Sequence, residues 1–146
     1  MGLDNDANTD EAPAGFRPAG LTGHFLEEGG PYFAKNEGNR LIIGLRVGPR
    51  HTNYLDIAHG GVISTLADIA LSFPVYLSEQ PHPVVTTSSL TVNFLYGAKM
   101  GDWLEASATI DRMGKRTAHT HGSIICGDRV LATASGVFSI FRPVQA

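Results

Sequence analysis

The chain has 146 residues and a mass of 15.6 kDa, enough for one domain with a proper core and cramped for two. It is 42% hydrophobic and only 17% charged, with a formal net charge of −3 and a pI near 6.0, which excludes the basic stripe of a nucleic-acid binder. Its single cysteine, Cys126, excludes an internal disulfide and suits a reducing compartment. So few charges on a small domain imply that much of the surface is covered by other subunits. No apolar run of ~18 residues is apparent, so no membrane span is expected. The N-terminus lacks the basic-then-apolar layout of a secretory signal. Gly2 would suit myristoylation, but Asp6 stands where Ser or Thr is wanted, and the expected location is the cytoplasm.

Residues 1–20 are rich in Asp, Asn, Ala, Pro and Gly, with only Leu3 and Phe16 as large apolar groups, and read as a mobile tail. Residues 21–146 then form the single domain. Residues 21–39 mix Leu21, Phe25, Leu26, Tyr32 and Phe33 with turn signals at Gly29-Gly30-Pro31 and Asn36-Glu37-Gly38-Asn39. They read as a short helix or irregular cover followed by a turn. Alternation of Leu41, Ile43, Leu45 and Val47 predicts the first strand. A loop rich in Gly, Pro, His and Asn runs from Gly48 to His59. A helix is predicted from Gly60 to Phe73, ending or kinking at Pro74, which has no backbone N–H to donate.

Four antiparallel strands are predicted at Val84–Tyr96, Asp102–Arg112, Thr117–Cys126 and Arg129–Phe141. Their inner-facing sets are expected to be Leu90, Val92 and Phe94; Leu104, Ala106, Ala108 and Ile110; Ala118, Thr120, Gly122, Ile124 and Cys126; and Val130, Ala132, Ala134, Gly136, Phe138 and Ile140. Many are Ala or Gly and leave a shallow trough. The one long apolar helix is its obvious occupant, giving an α+β architecture of one helix wrapped by a curved antiparallel sheet.

The stretch from Asn53 to Asp68, NYLDIAHGGVISTLAD, carries the strongest functional signal. From Ile57 to Ser78 the only fully charged side chain is Asp68. An ordinary solvated helix face carries several Lys and Glu. A lone carboxylate among apolar neighbours is costly to bury and points to a functional site. Gly60 opens the helix, so its N–H is an orphan donor at the positive end of the dipole, suited to a developing oxyanion. Gly60-Gly61 removes side chains and lets a substrate carbonyl approach the backbone. Asp68 lies ~12 Å further along the axis, too far to serve a carbonyl held at Gly60 of its own chain. Two antiparallel helices across a two-fold axis would bring Asp68 of one subunit to Gly60 of the other.

Asn53, His59-Gly60-Gly61 and Asp68, followed by the strand stretch NFLYGAKMGDWLEASATI and the Gly114-Lys115-Arg116 turn, resemble the hotdog-fold acyl-CoA thioesterases of the phenylacetate-pathway (PaaI-like) kind. The resemblance covers residues 40–141 in overall order. It implies hydrolysis of an acyl-CoA to free acid and coenzyme A, without metal or organic cofactor, in a homodimer at minimum and a homotetramer by preference. Asp68 would be general base or nucleophile, and the Gly60 amide would polarise the thioester carbonyl. Asn53 and His59 would position the thioester, and Thr87 would orient the attacking water. Gly61, Lys115 and Arg116 would meet coenzyme A, with Arg112 and Arg142 as weaker phosphate candidates. One departure is Asp56, where the family commonly has glycine. Asp tolerates a left-handed backbone better than most residues, and here it adds a carboxylate near His59.

Plainer readings stand beside these. Asp68 could be part of a polar stripe with Gly61, Ser64, Thr65 and Ser72, although the missing Lys and Glu count against it. Asn53 suits a turn or cap whatever the function. His119 and His121 share a strand face, but no third ligand of the strand shares that face and no metal site is expected. The alternatives to a thioesterase are a non-catalytic acyl-CoA-binding protein and a hotdog dehydratase or hydratase. A dehydratase would want a catalytic His paired with an acid in another arrangement, and residues 1–39 show no DNA-binding segment of the sort sensors of this fold carry.

Overall fold

A computed structural model of the chain describes residues 12–144. Its strands are β1 (Arg17–Pro18), β2 (Phe33–Glu37), β3 (Arg40–Arg46), β4 (Val84–Phe94), β5 (Trp103–Met113), β6 (Thr117–Cys126) and β7 (Arg129–Phe141). Two helices, α1 (His24–Gly29) and α2 (Gly60–Leu77), lie between them. All seven strands join one antiparallel sheet in the order β1-β2-β3-β5-β6-β7-β4. The sheet curves around α2 as the trough of small residues anticipates, and this is the hotdog fold.

The close approach of helix and sheet has a simple cause. Ala67, Ala70 and Leu71 of α2 meet Ala106, Gly122, Ile124 and Ala134 of the sheet. A Cβ on Gly136 would come 2.7 Å from the Phe138 ring and 3.4 Å from Leu71. Leu66, Leu71, Leu104 and Phe138 are fully buried in the resulting core, which supplies the apolar burial that holds such a small domain together.

Several expectations are corrected. Phe33–Glu37 is a strand, paired with β3 through the Gly38-Asn39 turn, where an irregular cover was expected. The strand has only five residues and runs into the second turn signal, too few for alternation to register. Helix α2 does not stop at Phe73 but runs to Leu77 through Pro74. Val75 is buried with Ala118 and Ile140, and this packing offsets the ~3 kcal/mol that an internal proline costs a helix. In β7 the inner residue is Leu131 and not Val130, because the β6–β7 register shifts between Ile124 and Ile125.

Phe94 was expected inside and is mostly exposed. Within the stretch read as a tail, Arg17 and Pro18 pair with Ala34 and Phe33, and Phe16 packs edge-on against Trp103 at 4.9 Å. Residues 1–11 lie outside the described residues. Finally, α2 is itself long and apolar enough to cross a membrane, with a mean hydropathy of 1.4 over 18 residues. Here it is the core helix, with Ile63, Leu66, Ala67, Ala70 and Leu71 buried against the sheet.

Candidate active site

The loop before α2 is shaped by its own polar groups. The Asn53 side-chain oxygen accepts from the backbone N–H groups of Leu55 at 2.9 Å and Ile57 at 3.4 Å. Its backbone N–H donates to the Ile57 carbonyl at 2.9 Å. This is an Asx turn, and it uses the Asn53 oxygen up in structure. Asp56 sits in the left-handed region at φ 58°, the conformation that makes glycine common at such a position. The Asp56 carboxylate forms no ion pair with His59 among the described residues.

A residue missed by sequence reasoning anchors this loop from beneath. His51 is 3% exposed. Its Nδ1 accepts from the Gly48 N–H at 2.9 Å, and its Nε2 donates to the Gly29 carbonyl at 2.7 Å. Its own carbonyl accepts from the His59 N–H at 2.8 Å. One buried histidine thus ties the end of α1, through its ring, to the residue that caps α2, through its backbone carbonyl. A histidine between Arg50 and Thr52 in a polar loop gave no sequence signal of burial.

His59 is the N-cap of α2, its Nδ1 accepting from the Gly61 N–H at 2.8 Å. That contact puts the proton of the neutral ring on Nε2, which points out as a free-standing donor. The His59 carbonyl takes the amides of Val62 and Ile63. The Gly60 amide has no part in this capping network, leaving an orphan donor at the helix N-terminus. Among the described residues a Cβ on Gly60 would touch only the Phe94 ring, at 3.7 Å, and none of them demands glycine there. At Gly61 a Cβ would press to 3.1 Å from His59 Nδ1.

Asp68 projects from the partly open side of α2 toward β4. The Thr87 hydroxyl donates to its Oδ1 at 2.6 Å, a short charge-assisted hydrogen bond. Simple alternation along β4 would have sent Thr87 the wrong way, since Leu90 and Val92 face inward and lie an odd number of residues away. A bulge between Thr87 and Ser89 resolves this. Ser88 is the extra residue, its hydroxyl bonded to that of Ser139 at 2.6 Å, and the parity of β4 reverses across it. Bulges beside functional groups re-aim side chains in this way.

Other expected groups are more scattered. Lys115 and Arg116 are exposed on the β5–β6 turn, without an ion pair among the described residues, at the end of the sheet where α2 finishes. Arg142 is already engaged: its Nε and Nη2 form a bidentate pair with Glu79, each contact 2.8 Å, and it donates to the carbonyls of Gly114 and Lys115. It therefore braces the turn and is a poor phosphate ligand. Arg112 stays exposed on β5.

His121 bonds the Asp111 carboxylate of the neighbouring strand at 2.7 Å. No cluster of three metal-ligating groups occurs among the described residues. Burial, reinforced by nearby Asp102, pushes the Cys126 thiol up, the reverse of what a nucleophilic cysteine needs. A concavity of about 1130 Å³ opens where β3 and β5 diverge near Arg40 and Ser107 and does not include Asp68, Thr87 or His59.

Residues 55–133, which hold Gly60, Asp68 and Thr87, match the thioesterase superfamily. The chain belongs to that superfamily. The chain is a thioester hydrolase, and its relatives are consistent. A Pseudomonas aeruginosa protein with a provisional esterase name is 36% identical over 88% of this chain and 96% of its own length. Acyl-coenzyme A thioesterase 13 of mouse is 30% identical over 54% of this chain and 56% of its own. Among solved structures, a Bacillus halodurans protein crystallised with CoA superposes with a TM-score of 0.69 at 26% identity, covering 76% of this chain and 74% of the other.

Proposed function

We propose that this thioesterase hydrolyses an acyl-CoA to free acid and coenzyme A, at a site shared by two copies of the chain. The observation that carries the proposal is the 2.6 Å hydrogen bond from Thr87 to the lone carboxylate of an apolar helix. In this reading a water sits against Asp68 and the Thr87 oxygen. Asp68 takes one of its protons as the water oxygen attacks the thioester carbonyl carbon. The oxyanion of the tetrahedral intermediate is held by the Gly60 N–H and the outward Nε2–H of His59. Collapse expels the thiolate of coenzyme A, and the proton held by Asp68 returns to it. Direct attack by Asp68 through a mixed anhydride uses the same groups.

Two features support a shared site. Gly60 and Asp68 stand eight residues apart on one continuous helix, ~12 Å along its axis. In addition, β4 is an edge strand of 11 residues without Lys or Pro, and bare edges of that length usually find a partner strand. Exposed Phe94, Leu95, Tyr96, Tyr54 and Leu55 flank the Gly60 end, as expected of a surface that another subunit covers. A homodimer is then the minimum assembly, and pairing of sheet faces would extend it to a tetramer. The Bacillus relative's CoA and the name of the mouse enzyme support acyl-CoA as substrate, with Lys115 and Arg116 facing its phosphates.

The test is thiol release from a panel of acyl-CoAs. Asp68→Asn keeps size and removes basicity, and turnover should fall by ~10²–10⁴; an unchanged turnover number would overturn the assignment. Mixing inactive Asp68→Asn with an inactive Gly60→Val protein under subunit exchange should restore one intact site per mixed dimer. Proven exchange without recovered activity would place the site within one chain. Replacing Lys115 and Arg116 with Ala should raise KM for acyl-CoA, less so at high salt, and leave a pantetheine thioester unaffected.

A further inference from the structure

A second concavity, about 790 Å³, opens one helical turn beyond the Asp68–Thr87 pair. Ser72 in its wall stands one turn beyond Asp68 on the same stripe of α2, and Val85 stands two residues before Thr87 on the same face of β4. The groove continues along Phe73 and Tyr76 on one side and Val84 on the other. Its remaining wall is Ala19–Leu26, the segment leading from β1 into α1, which presents Leu21 and Leu26. Among the described residues no Asp, Glu, Lys or Arg lines it.

We propose, resting on the thioesterase reading above, that this groove takes the acyl group of the substrate. We further propose that the N-terminal segment through Leu21 and Leu26 selects bulky apolar acyl groups over short ones. Three observations carry this. The groove opens one helical turn beyond the pair that would attack the carbonyl and leads away from it along α2 from Ser72 to Tyr76, ending roughly 12 Å from Asp68. Its lining pairs the apolar Leu21, Leu26, Phe73, Val84 and Val85 with a few hydroxyls and His82, whose Nδ1 is already taken by carbonyls, and it holds no Lys or Arg to bind the phosphates of coenzyme A.

The third observation is that the walls are fixed before any ligand arrives. His82 stacks on Tyr76 at 4.3 Å and its Nδ1 bonds the Tyr76 and Glu79 carbonyls, so the far end is a braced aromatic pair. The cover is pinned at both ends, by Ala19 N–H to the Tyr32 carbonyl at 2.9 Å and by His51 to the Gly29 carbonyl. Such a wall discriminates by size: each methylene gained or lost in an apolar pocket changes kcat/KM by roughly 10–200-fold.

The experiment compares acetyl-CoA, octanoyl-CoA, phenylacetyl-CoA and succinyl-CoA. The unmodified protein should prefer octanoyl or phenylacetyl to acetyl by at least roughly tenfold in kcat/KM and reject the charged succinyl group. Leu21→Trp fills the groove from the N-terminal segment, and Val84→Trp fills it from the opposite wall should the first variant fold poorly. Each should cut kcat/KM for the bulky substrates by at least roughly tenfold more than for acetyl-CoA. Tyr76→Ala, which opens the far end, should move the optimum to longer chains. If the filled variants lose all substrates equally, or none, the groove does not hold the acyl group even though the thioesterase reading stands. If the unmodified protein hydrolyses none of the four, that reading itself fails and this one with it.

Discussion

The two ends of the candidate site are built by opposite means. The oxyanion end, from Asn53 to Gly61, is local: an Asx turn, a left-handed Asp56 and the His59 cap are all formed within nine residues. The acid end joins Asp68 to Thr87, nineteen residues away in the chain and on the far edge strand. Local construction makes the first end tolerant of changes elsewhere. The second depends on strand register and on one bulge, because a single-residue slip would turn Thr87 to the outer face.

Substitutions at the two ends should therefore fail differently. The largest expected effect after loss of Asp68 itself is at Thr87. Thr87→Val keeps the shape but removes a hydrogen bond to a charged group, worth ~1.5–3 kcal/mol. Turnover should fall by roughly ten- to a hundredfold, with Thr87→Ser restoring most of it. Equal turnover in Val and Ser variants would show that the hydroxyl has no part in the chemistry.

At the oxyanion end the expected loss is one of stability. His51→Ala empties a buried site and strands the Gly48 N–H and the Gly29 carbonyl, at a cost of roughly 2–4 kcal/mol. A melting curve lower by roughly 5–12 °C is the expected reading. An unaltered Tm would mean that the imidazole is not the pin it resembles.

Asp56 gives a smaller and signed effect. Asp56→Gly should hold or slightly raise Tm, because glycine adopts φ 58° freely. Asp56→Val should lower stability by ~1–2 kcal/mol. The opposite order would remove backbone strain as the reason for the residue type.

Smallest of all is the exposed Glu79–Arg142 pair. The hydrogen bond from Arg142 holds the Glu79 carboxyl below the ordinary carboxylate range. Its contribution is present above the unfolded value of ~4.3 and lost as pH falls through the lower folded value. Glu79→Gln should therefore lower Tm slightly at neutral pH and not at all at a pH where Glu79 is protonated in both states. A deficit that persists in acid would point to packing.

Much of this protein is legible in its residues. Alternation marks β3 and the last four strands to within two residues at each end, because each buries one face and the side-chain period is two. The lone carboxylate in an apolar helix marks Asp68, and small residues along β5, β6 and β7 announce the trough for α2. These are local patterns imposed by burial. What tertiary structure alone decided is of another kind. Packing of Val75 carried α2 through Pro74, and bulges at Ser88 and Leu131 reversed strand parity where alternation reads straight through. Pairing of β4 with β7 brought Thr87 to Asp68 from the far edge. His51 became a buried pin only because α1 folds back onto it. Each depends on contacts between segments distant in the chain, whose free energy outweighs the local preference that a sequence displays.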